Sequence, residues 1–334
     1  MGGNHLDLIE RGMQAAGAPP ALRYAHEVSA FNPLRRRLML SSLALPLLPG
    51  LPGCVAPLPV SNQGTARGAQ SLLADSATAH GLAAFSQLSD VNVSYGGRWR
   101  GFVDKLQPAL VDVQYRGGSQ ERLLLRDGIV AQAHAGPAGR KQVFRRSAAH
   151  STGEVRVWRN GAEAADTDSR AAAALVADGY SLFLMGPLLL VRCWTADRVL
   201  AMEMAGTENL EWSGGRHPCD ILRIRIEPGL GFSASEQLAI YIDREERLMR
   251  RVRFTLGGLE STRGAVAEVD TFDHVTLYGI KWPTRFHERL LRPLILPVHD
   301  WHMTGLDVNR DLTPADVSAK WSERALRAAG TAPP

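Results

Sequence analysis

From Val91 onward the apolar residues change period, and that change constrains the fold more than any other feature of the chain. Val91-Asn92-Val93-Ser94-Tyr95 and Val111-Asp112-Val113-Gln114-Tyr115 alternate apolar with polar positions, the spacing of strands that cover one face. Residues 123–126, 129–134 and 142–145 follow, set apart by Gly117-Gly118, Asp127-Gly128 and Ala138-Gly139. Val155-Arg156-Val157-Trp158 then runs into Asn160-Gly161, a strong hairpin signal. Alternation resumes over 200–204, 209–212, 221–226, 238–242, 249–256, 266–274, 279–289 and 300–309. Two helical pieces interrupt it. Residues 70–88 repeat apolar positions at helical spacing with a break near Gly81, and 168–191 begin with Asp168 or Ser169 as N-cap, with Gly179 as a stop. Strands recurring at roughly ten-residue spacing predict a mainly β (α+β) chain built on a single curved antiparallel sheet.

The first fifty-three residues stand outside that pattern. Arg35-Arg36-Arg37 precede an apolar run that ends in Leu51-Pro52-Gly53-Cys54. A basic start, a short apolar stretch and small residues before a cleavage point describe an export signal. Pro46, Pro49 and Pro52 within seven positions argue against a spanning or buried helix, since each costs about 3 kcal/mol in a helix interior. Cysteine after Leu-x-Gly resembles the bacterial lipobox, which makes Cys54 the lipidated first residue of the mature chain. The expected organisation is an extension over 1–33, either a start assigned too far upstream or a genuine cytoplasmic extension, and a lipoprotein signal over 34–53. A tether over 54–69, a domain over 70–324 and a loose tail over 325–334 follow.

Charge and cysteines narrow the class further. The net charge of +4 includes five arginines and three acidic residues in 1–53, which leaves about +2 on the rest. With no block of basic residues interleaved with aromatics, the chain is not expected to bind nucleic acid. Once Cys54 carries lipid, Cys193 and Cys219 remain, either as a disulfide or as two buried thiols.

Three groups of residues carry a resemblance. They are Ala79-His80-Gly81 leading into Val91 to Trp99, then Tyr241-Ile242-Asp243-Arg244-Glu245 before Leu248-Met249-Arg250. The third is Phe272-Asp273-His274 with Gly279-Ile280-Lys281-Trp282-Pro283. Their order on a chain with a lipobox resembles the superfamily of outer-membrane lipoprotein carriers, the LolA/LolB-like fold. The resemblance implies an incomplete β-barrel covered by two or more helices and wrapped around an apolar cavity. The soluble carrier of that superfamily has no lipid anchor, so the lipobox places this chain nearer the anchored members. No ligand contact carries over residue by residue.

Chemical motifs are thin. In His299-Asp300-Trp301-His302 a strand would send the two histidines to opposite faces, whereas on a helix or loop both could ligate one ion if Asp300 or His287 supplied a third ligand; the expectation is exposed loop histidines and no metal site. Asp270, Asp273, Asp300, Asp307 and Asp311 are dispersed where turns favour aspartate. Gly231-Phe232-Ser233-Ala234-Ser235 departs from the nucleophile-elbow pattern at its last position. The most apolar piece, 180–191, is expected to be a core helix or a lid over acyl chains, with Gly186-Pro187 as a bend. Candidate lining residues are Leu182, Phe183, Met185, Leu188 and Leu189, with Tyr95, Trp99 and Trp212 from strands. The expectation is a non-enzymatic envelope protein, without metal or cofactor, facing the periplasm at the outer membrane and binding an acyl chain, lipid or lipoprotein. The alternatives are an interaction scaffold with a filled core and a hydrolase using His299, His302 and two carboxylates.

Overall fold

The computed structural model describes residues 58–59, 66–101, 103–148, 151–212 and 215–318. Cys54, the signal, the extension over 1–33 and the tail over 325–334 lie outside these residues. Helix α1 (Ala66–His80) and the single turn α2 (Leu82–Phe85) lead into β1 (Asp90–Trp99). Two further single turns follow, α3 (Val103–Leu106) and α4 (Pro108–Val111), before β2 (Gly118–Leu124), β3 (Ile129–Gly136) and β4 (Gly139–Arg146). Strands β5 (Glu154–Arg159) and β6 (Ala162–Glu163) precede the long helix α5 (Thr167–Thr195). Then come β7 (Val199–Trp212), β8 (Gly215–Ile226), β9 (Glu236–Asp243), β10 (Met249–Thr255) and β11 (Val266–Phe272). The short β12 (Val275–Leu277) and β13 (Ile280–Trp282) pair with each other, and β14 (Arg285–Arg292) and β15 (Leu296–Val308) complete the order.

Thirteen of the described strands form one antiparallel sheet in the order β6-β5-β4-β3-β2-β1-β15-β14-β11-β10-β9-β8-β7. The sheet is two meanders: β1 to β6 run out to one edge, α5 crosses to the other, and β7 to β15 return, with β12 and β13 set aside, until β15 lies beside β1. The sheet has two free edges and is strongly curved. Ala174 of α5 packs against Val143, Val155 and Val157 on β4 and β5, while Gly186 of the same helix abuts Met249 on β10. Twelve helical residues span about 18 Å, whereas β4 and β10 are seven spacings apart, about 34 Å in a flat sheet. The sheet must therefore curl round the helix. This is the open, incomplete barrel expected, with α1 and α5 on its inner face.

The main core lies between those helices and the sheet. Leu72, Leu73 and Ala77 of α1 meet Leu222, Ile224, Ile240, Ile242 and Met249 of the sheet, together with Leu182, Met185 and Leu188 of α5. Their neighbours on the strands, such as Cys219, Ile221 and Tyr241, form a separate apolar cluster on the outer face.

Several local expectations needed correction. Residues 111–115 do not form a strand: Pro108 opens a helical turn, and Asp112 ends it at φ 46°. The tether is already helical from Ala66. Asp166, rather than Asp168 or Ser169, caps α5, accepting a 2.7 Å bond from the Ser169 amide. Gly179 does not end that helix; it is buried inside it, where a Cβ would lie 3.3 Å from the Phe183 ring. The outer face is not uniformly wet either. Arg251, Arg253, Glu268 and Asp270 are buried there in an ion-pair network that Arg289 also joins, with Arg253 and Glu268 2.9 Å apart. By contrast, Asn160-Gly161 makes the expected hairpin turn, both residues at positive φ.

The three groups of residues that carry the family resemblance meet at one end of the core. The Met249 amide donates to His80 Nε2 at 3.0 Å, and His80 Nδ1 donates to the Lys281 carbonyl at 3.1 Å. This bond pattern fixes a neutral tautomer, and burial lowers the His80 pKa to about 4. His274 packs edge-on against it at 5.8 Å. Gly81 must be glycine: its φ is 99°, and a Cβ would lie 2.3 Å from the Gly279 carbonyl oxygen. Asp243 accepts from the Glu245 and Glu246 amides at 2.8 and 2.9 Å, tightening the β9–β10 turn. These motifs join α1 to the sheet and are architectural.

Candidate functional site

Helix α5 is held to the barrel wall at one point by charge. The Asp178 carboxylate accepts from Arg145 Nε and Nη2 at 3.0 and 2.9 Å and from the Gly231 amide at 2.8 Å. Beyond that anchor the helix is apolar on nearly every side, and Leu182, Phe183, Met185 and Leu188 are all buried. Leu189 is half-buried and packs at the edge of the same core. The helix breaks at Gly186, whose φ of 40° and ψ of −115° are not helical, and Pro187 follows directly. A Cβ at Gly186 would lie 2.8 Å from Met249 Sδ and Cε, so at the break the helix backbone packs directly against the end of the Met249 side chain. The expected bend is present, inside one continuous 29-residue element.

Next to this apolar region the inner face carries a cluster of rings. Trp99 stacks on His299 with centroids 3.9 Å apart and planes within 4°. His299 stacks on Trp301 at 4.9 Å, and Trp301 stacks on Phe286 at 4.9 Å and on Tyr180 at 5.1 Å. Tyr95 meets Tyr180 and Phe286 edge-on, and Phe183 leans on Tyr180 and Trp301. Three of the sequence candidates, Tyr95, Trp99 and Phe183, thus converge from β1 and α5 on one spot. The Trp212 backbone pairs with Gly215 in the β7–β8 hairpin, and its side chain lies outside the described residues.

A polar centre sits against these rings. Arg116, 6% exposed, stacks its guanidinium over Trp99 at 4.6 Å and Tyr180 at 5.5 Å. It donates to the Leu110 carbonyl at 2.7 Å and to Tyr180 Oη at 3.1 Å, and the Trp99 indole donates to its carbonyl at 3.0 Å. Tyr180 Oη then lies 3.0 Å from His299 Nδ1. With Arg116 donating to the phenol, the phenol donates to Nδ1 and leaves His299 neutral with its proton on Nε2. Burial and Arg116 agree with that assignment, holding the His299 pKa well below 6.5. Burial raises the Tyr180 phenol.

Two carboxyls share the neighbourhood. Burial pushes Glu121 on β2 up to about 7, although the nearby Gln132 amide, a 3.1 Å bond from Ser119 and the charge of Arg116 pull it down. Burial pushes Glu288 on β14 up to about 7 as well, and Arg116 pulls it down. Glu288 lies directly across from His299 in the β14–β15 register and makes no hydrogen bond or ion pair among the described residues. It is half-buried, as is Trp99, so the centre reaches solvent on that side. Farther along the inner face, burial lowers Lys141 to about 8, while Asp112, 2.7 Å away, holds its charge.

This centre was not anticipated, although alternation could have exposed part of it. Glu121 shares its strand parity with Leu123, and Gln132 and His134 share theirs with Val130, so each is a polar residue on the apolar side. The hydrolase constellation does not assemble. His299 and Trp301 face inward, while Asp300 and His302 face outward on the same strand, β15, and only His302 of the two histidines is exposed. Asp300 pairs instead with Arg100 and His287 at an outer cleft of about 550 Å³. Among the described residues no group of three or more histidine, cysteine or acidic side chains is placed to hold a metal ion. Cys193 and Cys219 are separate buried thiols. Cys219 belongs to the outer-face cluster and Cys193 to the inner helix, so the sheet itself stands between them.

The chain is an open antiparallel sheet curled round helices. No protein-family model matches it, and no curated protein matches it by sequence. Among solved structures it is similar to a DUF1329 family protein from Desulfovibrio piger, with 11% identity, 78% of this chain and 98% of that chain covered, and a TM-score of 0.47. It is also similar to a LolA superfamily protein from Nitrosomonas europaea (11% identity, 76% and 99% covered, TM-score 0.45). A third is an outer membrane lipoprotein-sorting protein domain from Vibrio parahaemolyticus (7% identity, 77% and 99% covered, TM-score 0.41). Likenesses this loose leave the ligand to be argued from the chain's own residues.

Proposed function

We propose that this chain is a lipid-anchored envelope protein that binds an acyl chain, a lipid or a lipidated protein between α5 and the sheet, and catalyses no reaction. The observation that carries this reading is α5 itself. A 29-residue helix, buried along most of its length and broken by Gly186-Pro187, is enclosed by a sheet with two free edges. A packed core needs no such break. A lid that swings its second half about residue 186 does, and it would expose Leu182, Met185, Leu188 and Leu189 to an incoming chain. Each methylene buried there contributes about 0.8 kcal/mol, so a chain of ten carbons supplies enough to offset the displaced contacts. Met185 and Met249, flexible and polarizable, suit a wall that must repack around variable chains. Cys54 would carry the lipid anchor, with the domain facing the periplasm from the outer membrane.

The test is titration of the purified protein, signal removed and Cys54 replaced, with a fluorescent polyunsaturated fatty acid, followed by displacement with unlabelled lipids. Saturable binding, lost when Leu188→Trp blocks the face that the moving helix would open, supports the reading. A protein that never takes up the probe, yet unfolds cooperatively, is the scaffold with a filled core.

A further inference from the structure

Arg116 is a buried cation with no carboxylate in direct ion-pair contact among the described residues. Two of its five N–H groups are used by the Leu110 carbonyl and the Tyr180 phenol, and the rest meet no acceptor among the described residues. Its other neighbours are ring faces, which attract a cation but do not neutralise it. Buried charges in proteins are ordinarily paired, because an unpaired one carries a large desolvation penalty. Every other deeply buried cation of the inner face has a carboxylate: Lys141 has Asp112 at 2.7 Å, and Arg145 has Asp178 at 2.9 Å.

We infer that Arg116, with the Tyr180 hydroxyl and the His299 ring beside it, is a subsite for the anionic head of a single-chain amphiphile, a carboxylate, sulfate or phosphate monoester. This deepens the reading of α5 as an acyl-chain lid and rests on it. The geometry fits such a ligand. Trp99 and Glu288 form the half-buried rim through which a head would meet solvent. From Tyr180 one turn along α5 leads to Phe183 and Leu184 in the main core, so a tail continues directly into the apolar region. The guanidinium supplies parallel N–H donors that match the oxygens of an oxyanion.

Glu121 and Glu288 make the subsite sensitive to pH. When ionised they share the charge of Arg116 and repel an anionic head; when protonated they leave that charge to the ligand. Both carry pKa values near 7. The histidines facing Arg116, His299 on β15 and His134 on β3, are held well below 6.5 by burial and do not charge in this range. Tyr95 on β1 and Tyr180 on α5 are raised and stay neutral. Lys141, at about 8, gains charge in the same direction but is tied to Asp112, which also faces Arg159 on β5. One carboxyl of pKa about 7 goes from mostly ionised at pH 8 to mostly protonated at pH 6, which changes the affinity of an anion it opposes by up to about tenfold.

The experiment is calorimetric titration of the purified protein with decyl sulfate, decanol and inorganic sulfate, below micelle formation, at pH 6 and pH 8. The expected result is decyl sulfate at least tenfold tighter than decanol at pH 6, and about tenfold weaker at pH 8 than at pH 6, with inorganic sulfate weaker than either alkyl probe. Arg116→Gln should abolish the preference for sulfate over the alcohol. Should that variant fail to fold, Glu288→Gln is decisive, since it should tighten decyl sulfate at pH 8 and shrink the pH dependence to about threefold or less. Equal affinity for decyl sulfate and decanol overturns the head subsite and leaves the acyl-chain reading standing. Binding of inorganic sulfate with no gain from the tail overturns the subsite as drawn, and no binding of any alkyl probe overturns both.

Discussion

Asp178 is the point at which the account of α5 can be tested most quantitatively. Its carboxylate holds the Arg145 guanidinium bidentately and also receives the Gly231 amide, and the Arg145 side chain is only 3% exposed. Asp178→Asn keeps the size and one acceptor but leaves a buried guanidinium without charge compensation. Removing one partner of a buried pair costs about 3–5 kcal/mol; because Asn retains an acceptor, about 3 kcal/mol is expected here. With a urea slope of about 3 kcal/mol/M for a domain of this size, the unfolding midpoint should fall by about 1 M at unchanged slope. Tryptophan fluorescence reads the transition, because Trp99 and Trp301 lie on the same inner face. Adding Arg145→Met to Asp178→Asn removes the stranded charge, and the double variant should recover about 2 kcal/mol of the loss. A single variant that costs less than about 1 kcal/mol, or a double variant in which the two losses simply add, would refute the claim that this pair anchors the helix.

Three further outcomes follow from particular residues. Gly81→Ala should lower stability by about 2–4 kcal/mol in the same urea assay, since it combines positive φ with a Cβ 2.3 Å from the Gly279 carbonyl oxygen. Glu236, buried and pushed up to about 8, favours the folded state while protonated. Its contribution is complete below about pH 4.5 and is lost as pH rises through 8, at up to about 1.4 kcal/mol per pH unit. Glu236→Gln should therefore make the fall in urea midpoint between pH 5 and pH 9 less steep, above all between pH 7 and pH 8, with Glu121 and Glu288 supplying the fall that remains below pH 7; an unchanged profile contradicts the assignment. Feeding cells a palmitate analogue should label the wild-type protein and not Cys54→Ala, and equal labelling of both would remove the anchor.

The sheet was legible because its information is local. Strand alternation, Asn160-Gly161 and the breaks at Gly81 and Gly186-Pro187 each act within a few residues, and the structure follows them. What failed depended on tertiary context. Val111 to Tyr115 alternates like a strand, but Pro108 and the left-handed Asp112 turn it into a capped loop that delivers Arg116 to the core. Gly179 reads as a helix stop, yet it is the small residue that lets the Phe183 ring lie against its own helix. The aromatic candidates Tyr95 and Trp99 were placed by parity alone. Arg116, Tyr180, Glu288 and His299 come from four separate segments, and nothing in the spacing of one announces the others.

Native mass spectrometry of the full-length protein, purified in mild conditions from the membranes of the cell that makes it, tests the central claim most directly. The account predicts a lipidated protein that carries, beyond its covalent anchor, a stoichiometric non-covalent adduct. On release the adduct should extract as an acyl-bearing molecule, and Leu188→Trp should lose it while keeping the anchor. A homogeneous, empty protein from every preparation, with no uptake of added acyl lipid, would contradict the account and leave the barrel as a scaffold closed on its own core.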